Sequence, residues 1–229
     1  RSSAASDVYK RQVTYTVRRN NIEVTASHRF CNAAPVTIAI YYGMQSMFEG
    51  ETHVLTPGGA YTDWTEVAKA STFTKQEHPL FRRYVEKNRQ GYQSTWLLPD
   101  GLGDHALLDG QDDIFIYAPY GKSYHKLIGN KRMENGDKTC WRGVYTWFET
   151  PIADDADLLC YEGSVGGHTA VFIDCKRACK RTLALPGYLD LRHFGTAEQN
   201  SGIRISAAGR NKLKIKAGAP GSCVLLLRE

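Results

Sequence analysis

The sequence has no apolar run near the roughly 18 residues that suggest a membrane-spanning helix. It has no G-x-S-x-G elbow, no phosphate-binding P-loop and no H-E-x-x-H helix. It also lacks a dinucleotide fingerprint in a βαβ setting. These absences weigh against serine esterases, nucleotide hydrolases and dehydrogenases. The six cysteines are Cys31, Cys140, Cys160, Cys175, Cys179 and Cys223, and only Cys175 and Cys179 are close. Zinc sites favour paired short spacings with a second pair or nearby histidines, so no metal is expected. Most of the cysteines sit in apolar runs and read as small buried hydrophobes. No cofactor is implied. The formal net charge of +5 is carried by no basic tract, so neither nucleic acid nor a membrane is an expected partner.

What is present is strand signal. From Ile22 the chain alternates Ile22, Val24, Ala26 with Glu23, Thr25, Ser27, the period of a half-buried strand. Asn20-Asn21 suits a hairpin turn from a strand over 13–18. Further strands are expected over 36–42, 51–55, 93–98, 113–117, 140–148, 158–161, 169–174, 202–206, 212–217 and 223–227. One short helix is expected from Pro79 to Gln90, with Pro79 at its first turn, Gly91 as its cap and a Leu80, Phe81, Tyr84, Val85 stripe. The reading is all-β: a large antiparallel β-sandwich with one short helix.

Residues 1–12 are set aside, because Asp7 to Gln12 resembles the translation of a sequencing adapter. Residues 13–229 then form the sandwich domain, expected to be the C-terminal part of a longer protein. The missing N-terminal region of that protein would be a partner.

The segment TASHRFCNAAPVTIAIYYGMQSMF, from Thr25 to Phe48, sets His28, Phe30 and Asn32 before Pro35-Val36. This strand, short turn and second strand resemble the β-sandwiches of galactose-mutarotase-like proteins and related polysaccharide-processing enzymes. The resemblance implies a carbohydrate-associated sandwich, extracellular or periplasmic. Those families use a histidine acid and a glutamate base, and neither aligns with a particular position of this chain.

Several residues are candidates for chemistry. In the strand from Cys140, alternation puts Trp141, Tyr145, Trp147 and Glu149 on one side around Gly143. Aromatic rings stack on pyranose faces, and a carboxylate accepts hydrogen bonds from hydroxyls. The same rings equally suit a core. The loop PDGLGDHALLDGQDD holds His105 among aspartates. It reads as Asp-Gly turns, as a calcium loop, or as a rim bearing a general acid or base. The segment YAPYGKSYHK brings Tyr120, Tyr124 and His125 into a mixed polar and aromatic loop. His28 reads as a satisfied core histidine. Asp154, Asp155 and Asp157 read as a solvated turn. Lys212, Lys214 and Lys216 read as a solvated outer strand face that discourages edge pairing, against an anion-binding stripe.

The expected function is binding of, or an accessory role toward, a polysaccharide or oligosaccharide. The sugar-contacting set would be Trp141, Tyr145, Trp147, Glu149, Tyr120 and Tyr124. The alternatives are a catalytic lyase, glycosidase or epimerase using His105, His125 or Glu149, and a purely structural domain.

Overall fold

The computed structural model describes residues 9–47, 52–66, 71–79, 81–98, 113–118, 121–200 and 202–227. In chain order the strands are β1 Tyr9–Arg18, β2 Asn21–Phe30, β3 Val36–Met47, β4 His53–Leu55, β5 Thr65–Glu66 and β6 Ser71–Thr74. Next come β7 Arg83–Asn88, β8 Gly91–Leu97, β9 Asp113–Ala118, β10 Lys122–Met133, β11 Lys138–Phe148 and β12 Ala153–Asp154. The chain closes with β13 Leu158–Val165, β14 His168–Cys175, β15 Cys179–Ala184, β16 Phe194–Gln199, β17 Ile203–Ala207, β18 Lys212–Ala217 and β19 Gly221–Leu227. No helix occurs among the described residues.

The strands form a seven-stranded sheet in the order β1-β2-β11-β8-β7-β4-β5 and a four-stranded sheet β3-β10-β9-β6. A five-stranded sheet β12-β13-β14-β19-β16 and a three-stranded sheet β15-β18-β17 complete the fold. All pairings are antiparallel. The apolar clusters set the sheets face to face in a sandwich-like stack. Val24, Ala26, Leu97 and Trp141 of the seven-stranded sheet meet Met44, Leu127 and Ile128 of the four-stranded one. On the opposite face Val85, Trp96 and Val144 meet Tyr161, Ala170 and Phe172 of the five-stranded sheet. That sheet's outer face, through Leu158, Val171 and Leu225, packs on Leu213 and Ile215 of the three-stranded sheet. Cys160, Cys175 and Cys223 are buried in this last layer, as their apolar context implied.

The helix expected over 79–90 is replaced by β7 and its hairpin to β8, with Arg83 opposite Trp96 and Asn88 opposite Gly91. The misread stripe has a physical cause. β7 lies between two other sheets, so both faces are buried and the apolar run loses its alternation. Tyr84 and Glu86 point to the four-stranded sheet, where Tyr84 donates to the Met44 carbonyl at 2.9 Å and Glu86 accepts from Ser123 at 2.7 Å. Burial pushes the Glu86 carboxyl up from its ordinary range. Arg83 points the other way, fully buried, and pairs with Asp174 of β14 while its guanidinium lies 4.9 Å from the Phe172 ring centroid. Gly91 ends the hairpin turn at φ +131°, where a side chain would meet the Phe148 carbonyl.

The first hairpin turns at Arg19-Asn20, one residue before the expected place, and Asn21 already belongs to β2. Residues 9–12 continue β1, Tyr9 to Gln12 standing opposite Phe30 to Ser27. The Tyr117 to Lys126 segment is largely strand: β9 ends at Ala118 and β10 starts at Lys122, with Gly121 at the turn.

Candidate functional site

β11 carries the aromatic face from the core to the surface. Trp141 is buried at 6% exposure, and its indole N–H donates to the Tyr41 hydroxyl at 2.8 Å. The four-stranded sheet covers this part of the face, so the Trp141 ring is a packing element and not an open stacking surface. At Gly143 the Met44 thioether occupies the space that a side chain would need. Tyr145 is half-buried and donates to the Gln45 carbonyl at 3.0 Å. Burial first, then Tyr15 and Glu86, pushes its phenol well above the ordinary range. The Trp147 ring lies parallel to that of Tyr145.

Trp147 and Glu149 border an open depression of about 600 Å³ that is also lined by Asn20, Gln90, Tyr92 and Phe148. Trp147 is half-buried, while Asn20, Gln90 and Glu149 are exposed. The Trp147 backbone is held from both sides: its N–H donates to the Asn20 carbonyl at 2.9 Å, and its carbonyl accepts from Asn20 Nδ2 at 2.8 Å.

The floor is rigid. Tyr92 stacks on Phe148 at 4.8 Å between centroids, Phe148 on Tyr161 at 4.3 Å, and Tyr161 on Phe172 at 4.7 Å. This ladder runs from the depression into the core between two sheets. The Tyr92 hydroxyl donates to Asp154 Oδ2 at 2.9 Å. Asp154 also accepts from Trp64 Nε1 at 2.9 Å, Lys87 at 2.7 Å and Lys176 at 2.9 Å. Burial acts to raise the Asp154 carboxyl, but its four donors hold it well below the ordinary carboxylate range. The expected solvated turn at 154 is thus a half-buried polar hub that ties the edge of one sheet to the next. Asp155 and Asp157 nearby pair with Arg181 at 2.9 and 2.6 Å.

The depression brings together Trp147 and Glu149, with Tyr145 stacked behind them. Trp141, Tyr124 and His125 are elsewhere. Tyr124 is 6% exposed and stacks on Tyr42 at 4.6 Å. His125 is enclosed by Phe81 and Tyr84, and neither ring nitrogen has a hydrogen-bond partner. Burial, helped by Arg82, pulls its pKa down to about 3. Such an imidazole stays neutral, out of reach of solvent. No hydrogen bond or ion pair joins it to a carboxylate among the described residues. His105 and Tyr120 lie outside the described residues. His28 is the core histidine expected, 8% exposed, edge-on to Tyr41 and 3.2 Å from the Thr139 hydroxyl. Among the described residues no group of three or more His, Cys, Asp or Glu side chains is placed to hold a metal ion.

The sequence reading missed Asn20, Gln90 and Tyr92. Their signal was the hairpin: reading Arg89-Gln90 as a turn places Tyr92 opposite Phe148 and brings Gln90 beside Glu149. An indole face, a carboxylate and two amides around an open depression suit non-covalent recognition of a hydroxylated ligand. No protein-family model, curated protein or solved structure matches the chain.

Proposed function

We propose that this chain is a carbohydrate-associated β-sandwich domain that binds an oligosaccharide or polysaccharide segment in the Trp147 depression. The observation that carries the reading is the half-exposed Trp147 ring, backbone-pinned by Asn20 and set beside Glu149 and Gln90. A pyranose has an apolar face and a polar rim. An indole buries the first, while carboxylate and amide groups bond to the second. Because Tyr145 stacks on the ring and Asn20 pins its backbone, little ordering remains for binding to offset. The ring ladder under Tyr92 holds the floor of the depression.

The test is a glycan array on the wild type, followed by calorimetric titration of the glycans that bind against wild type, Trp147→Ala and Glu149→Gln. Thermal melts accompany each protein. Trp147→Ala is expected to weaken binding about tenfold or more while the domain stays folded. A wild type that binds no glycan, or a Trp147→Ala protein that unfolds, overturns the reading.

A further inference from the structure

The outer face of the three-stranded sheet carries a lattice of cations with no acid among them. On β18 the inward residues Leu213, Ile215 and Ala217 join the core, and Lys212, Lys214 and Lys216 point out. Lys216 stands opposite Lys180 of β15 on one side and Arg204 of β17 on the other. Lys214 stands opposite Thr182 and Ser206. All five cations are exposed, and none takes part in an ion pair among the described residues. Arg181 of β15, which shares the inward side with its partner Ile215, does pair with both Asp155 and Asp157.

This arrangement is not explained by edge protection. β18 is the middle strand, hydrogen-bonded on both sides, so its lysines guard no free edge. Like charges directly opposite one another are destabilising. Solvated faces ordinarily intersperse both signs. The chain has 29 Lys and Arg against 24 Asp and Glu, so the five cations on this one face equal its whole formal excess.

We propose that this face is a docking surface for an acidic polysaccharide, a chain of carboxylated or sulfated sugars. The kind of polyanion rests on the carbohydrate reading above; the surface itself does not involve the Trp147 depression. Neighbouring strands place the cations about 4.8 Å apart across the sheet, and alternate residues place them about 7 Å apart along it. A linear polyanion with one charge per sugar meets several of them at once. The Lys180, Lys214, Lys216 and Arg204 side chains border a shallow trough of about 750 Å³, with the Thr182 and Ser206 hydroxyls between them as neutral hydrogen-bonding groups. Nucleic acid fits less well. The face has no aromatic ring for base stacking, and a flat sheet face presents no element to enter a groove.

The test uses the full chain with heparin and polygalacturonate as probes, and with neutral dextran, single-stranded DNA and duplex DNA as the comparison set. Binding is read by calorimetry at low and at raised salt. The wild type is expected to bind an acidic polysaccharide, more weakly as salt rises, and Lys214→Gln with Lys216→Gln is expected to reduce affinity about tenfold or more. A charge-matched control outside this face, Arg89→Gln with Arg132→Gln, both exposed, is expected to bind nearly as the wild type does. The Lys214→Gln with Lys216→Gln protein is expected to melt at or slightly above the wild-type temperature, since only exposed side chains change and like-charge contacts to Lys180 and Arg204 are relieved. Failure of both acidic polysaccharides to bind, an equal loss in the control, or tighter binding of DNA than of either polysaccharide overturns the proposal. Trp147→Ala is expected to keep its affinity for the acidic polysaccharide. Loss of neutral-glycan binding in that variant therefore reports on the depression alone.

Discussion

Tyr145 and Trp147 lie with their ring centroids 5.9 Å apart and their planes 18° from parallel. They are two positions apart on one strand face, and they mark where that face leaves the core. Behind them Trp141 is buried under the second sheet, and ahead of them Glu149 is exposed. One alternating face is thus core at one end and surface at the other, and the two tryptophans have opposite surroundings.

The two indoles are expected to separate cleanly in stability measurements. Trp141→Ala empties a site in the core and is expected to cost about 3–5 kcal/mol. Trp147→Ala removes a half-exposed ring and is expected to cost about 1–2 kcal/mol. Denaturant titration of both variants checks the difference.

Gly143 is expected to tolerate no side chain. A Cβ there would meet the Met44 thioether and, at 3.0 Å, the Trp96 carbonyl. Gly143→Ala is expected to destabilise by about 1–3 kcal/mol through overpacking. Combining it with Met44→Ala is expected to cost less than the sum of the two, because the variants share one space. A double-mutant cycle from denaturation curves measures this.

His125 is expected to make the protein acid-sensitive. Its folded pKa, held down to about 3 by burial and Arg82, lies below the ordinary value near 6.5. Between these values the unfolded chain binds a proton that the folded one refuses. The His125 contribution is therefore fully present above about pH 6.5 and is lost as pH falls toward 3, with a limiting slope of about 1.4 kcal/mol per pH unit. Asp174 and Glu86, whose carboxyls are raised by burial, tilt the profile the opposite way, so the comparison must be between proteins. His125→Leu removes two unpartnered nitrogens. It is expected to raise stability at pH 7 and to lose less of it between pH 6.5 and 4 than the wild type does. Denaturation midpoints across that range check both.

The buried Arg83–Asp174 pair joins two sheets, and Arg83 Nε and Nη1 have no partner. Asp174→Leu leaves a guanidinium uncompensated in the core and is expected to cost about 3–5 kcal/mol. Arg83→Met with Asp174→Leu is expected to recover most of that loss. The recovery is read from the denaturation midpoints of the single and double variants.

Most strands were legible because one of their faces meets solvent. β2 and β18 show the alternation plainly, and their observed spans, Asn21–Phe30 and Lys212–Ala217, match the pattern nearly to the residue. β7 was not legible, because burial on both sides replaces alternation with an apolar run that also fits a helix. β10 was hidden by two register shifts, at Ser123/His125 and Lys126/Ile128, which put Tyr124 and His125 both inside. At the site, Trp147 and Glu149 followed from alternation alone. Asn20, Gln90 and Tyr92 did not, since they arrive from other hairpins. The depth of Trp141 was equally beyond reach, because alternation says which side a ring takes and not what covers that side. The same holds for the cation lattice: three lysines lie on one strand in the sequence, but pairing with Lys180 and Arg204 is a property of the sheet.

The most direct test of the central claim is a ¹H–¹⁵N spectrum of the tryptophan indoles during titration with a glycan selected on the array. The four tryptophans occupy distinct settings: Trp96 is buried without a partner, Trp141 is bonded to Tyr41, Trp64 is bonded to Asp154, and Trp147 borders the open depression. The Trp147 resonance, assigned by its absence in Trp147→Phe, is expected to shift saturably, while those of Trp96 and Trp141 stay in place. A Trp147 resonance that remains fixed while glycan binds, or one that moves only together with the two buried indoles, contradicts the account.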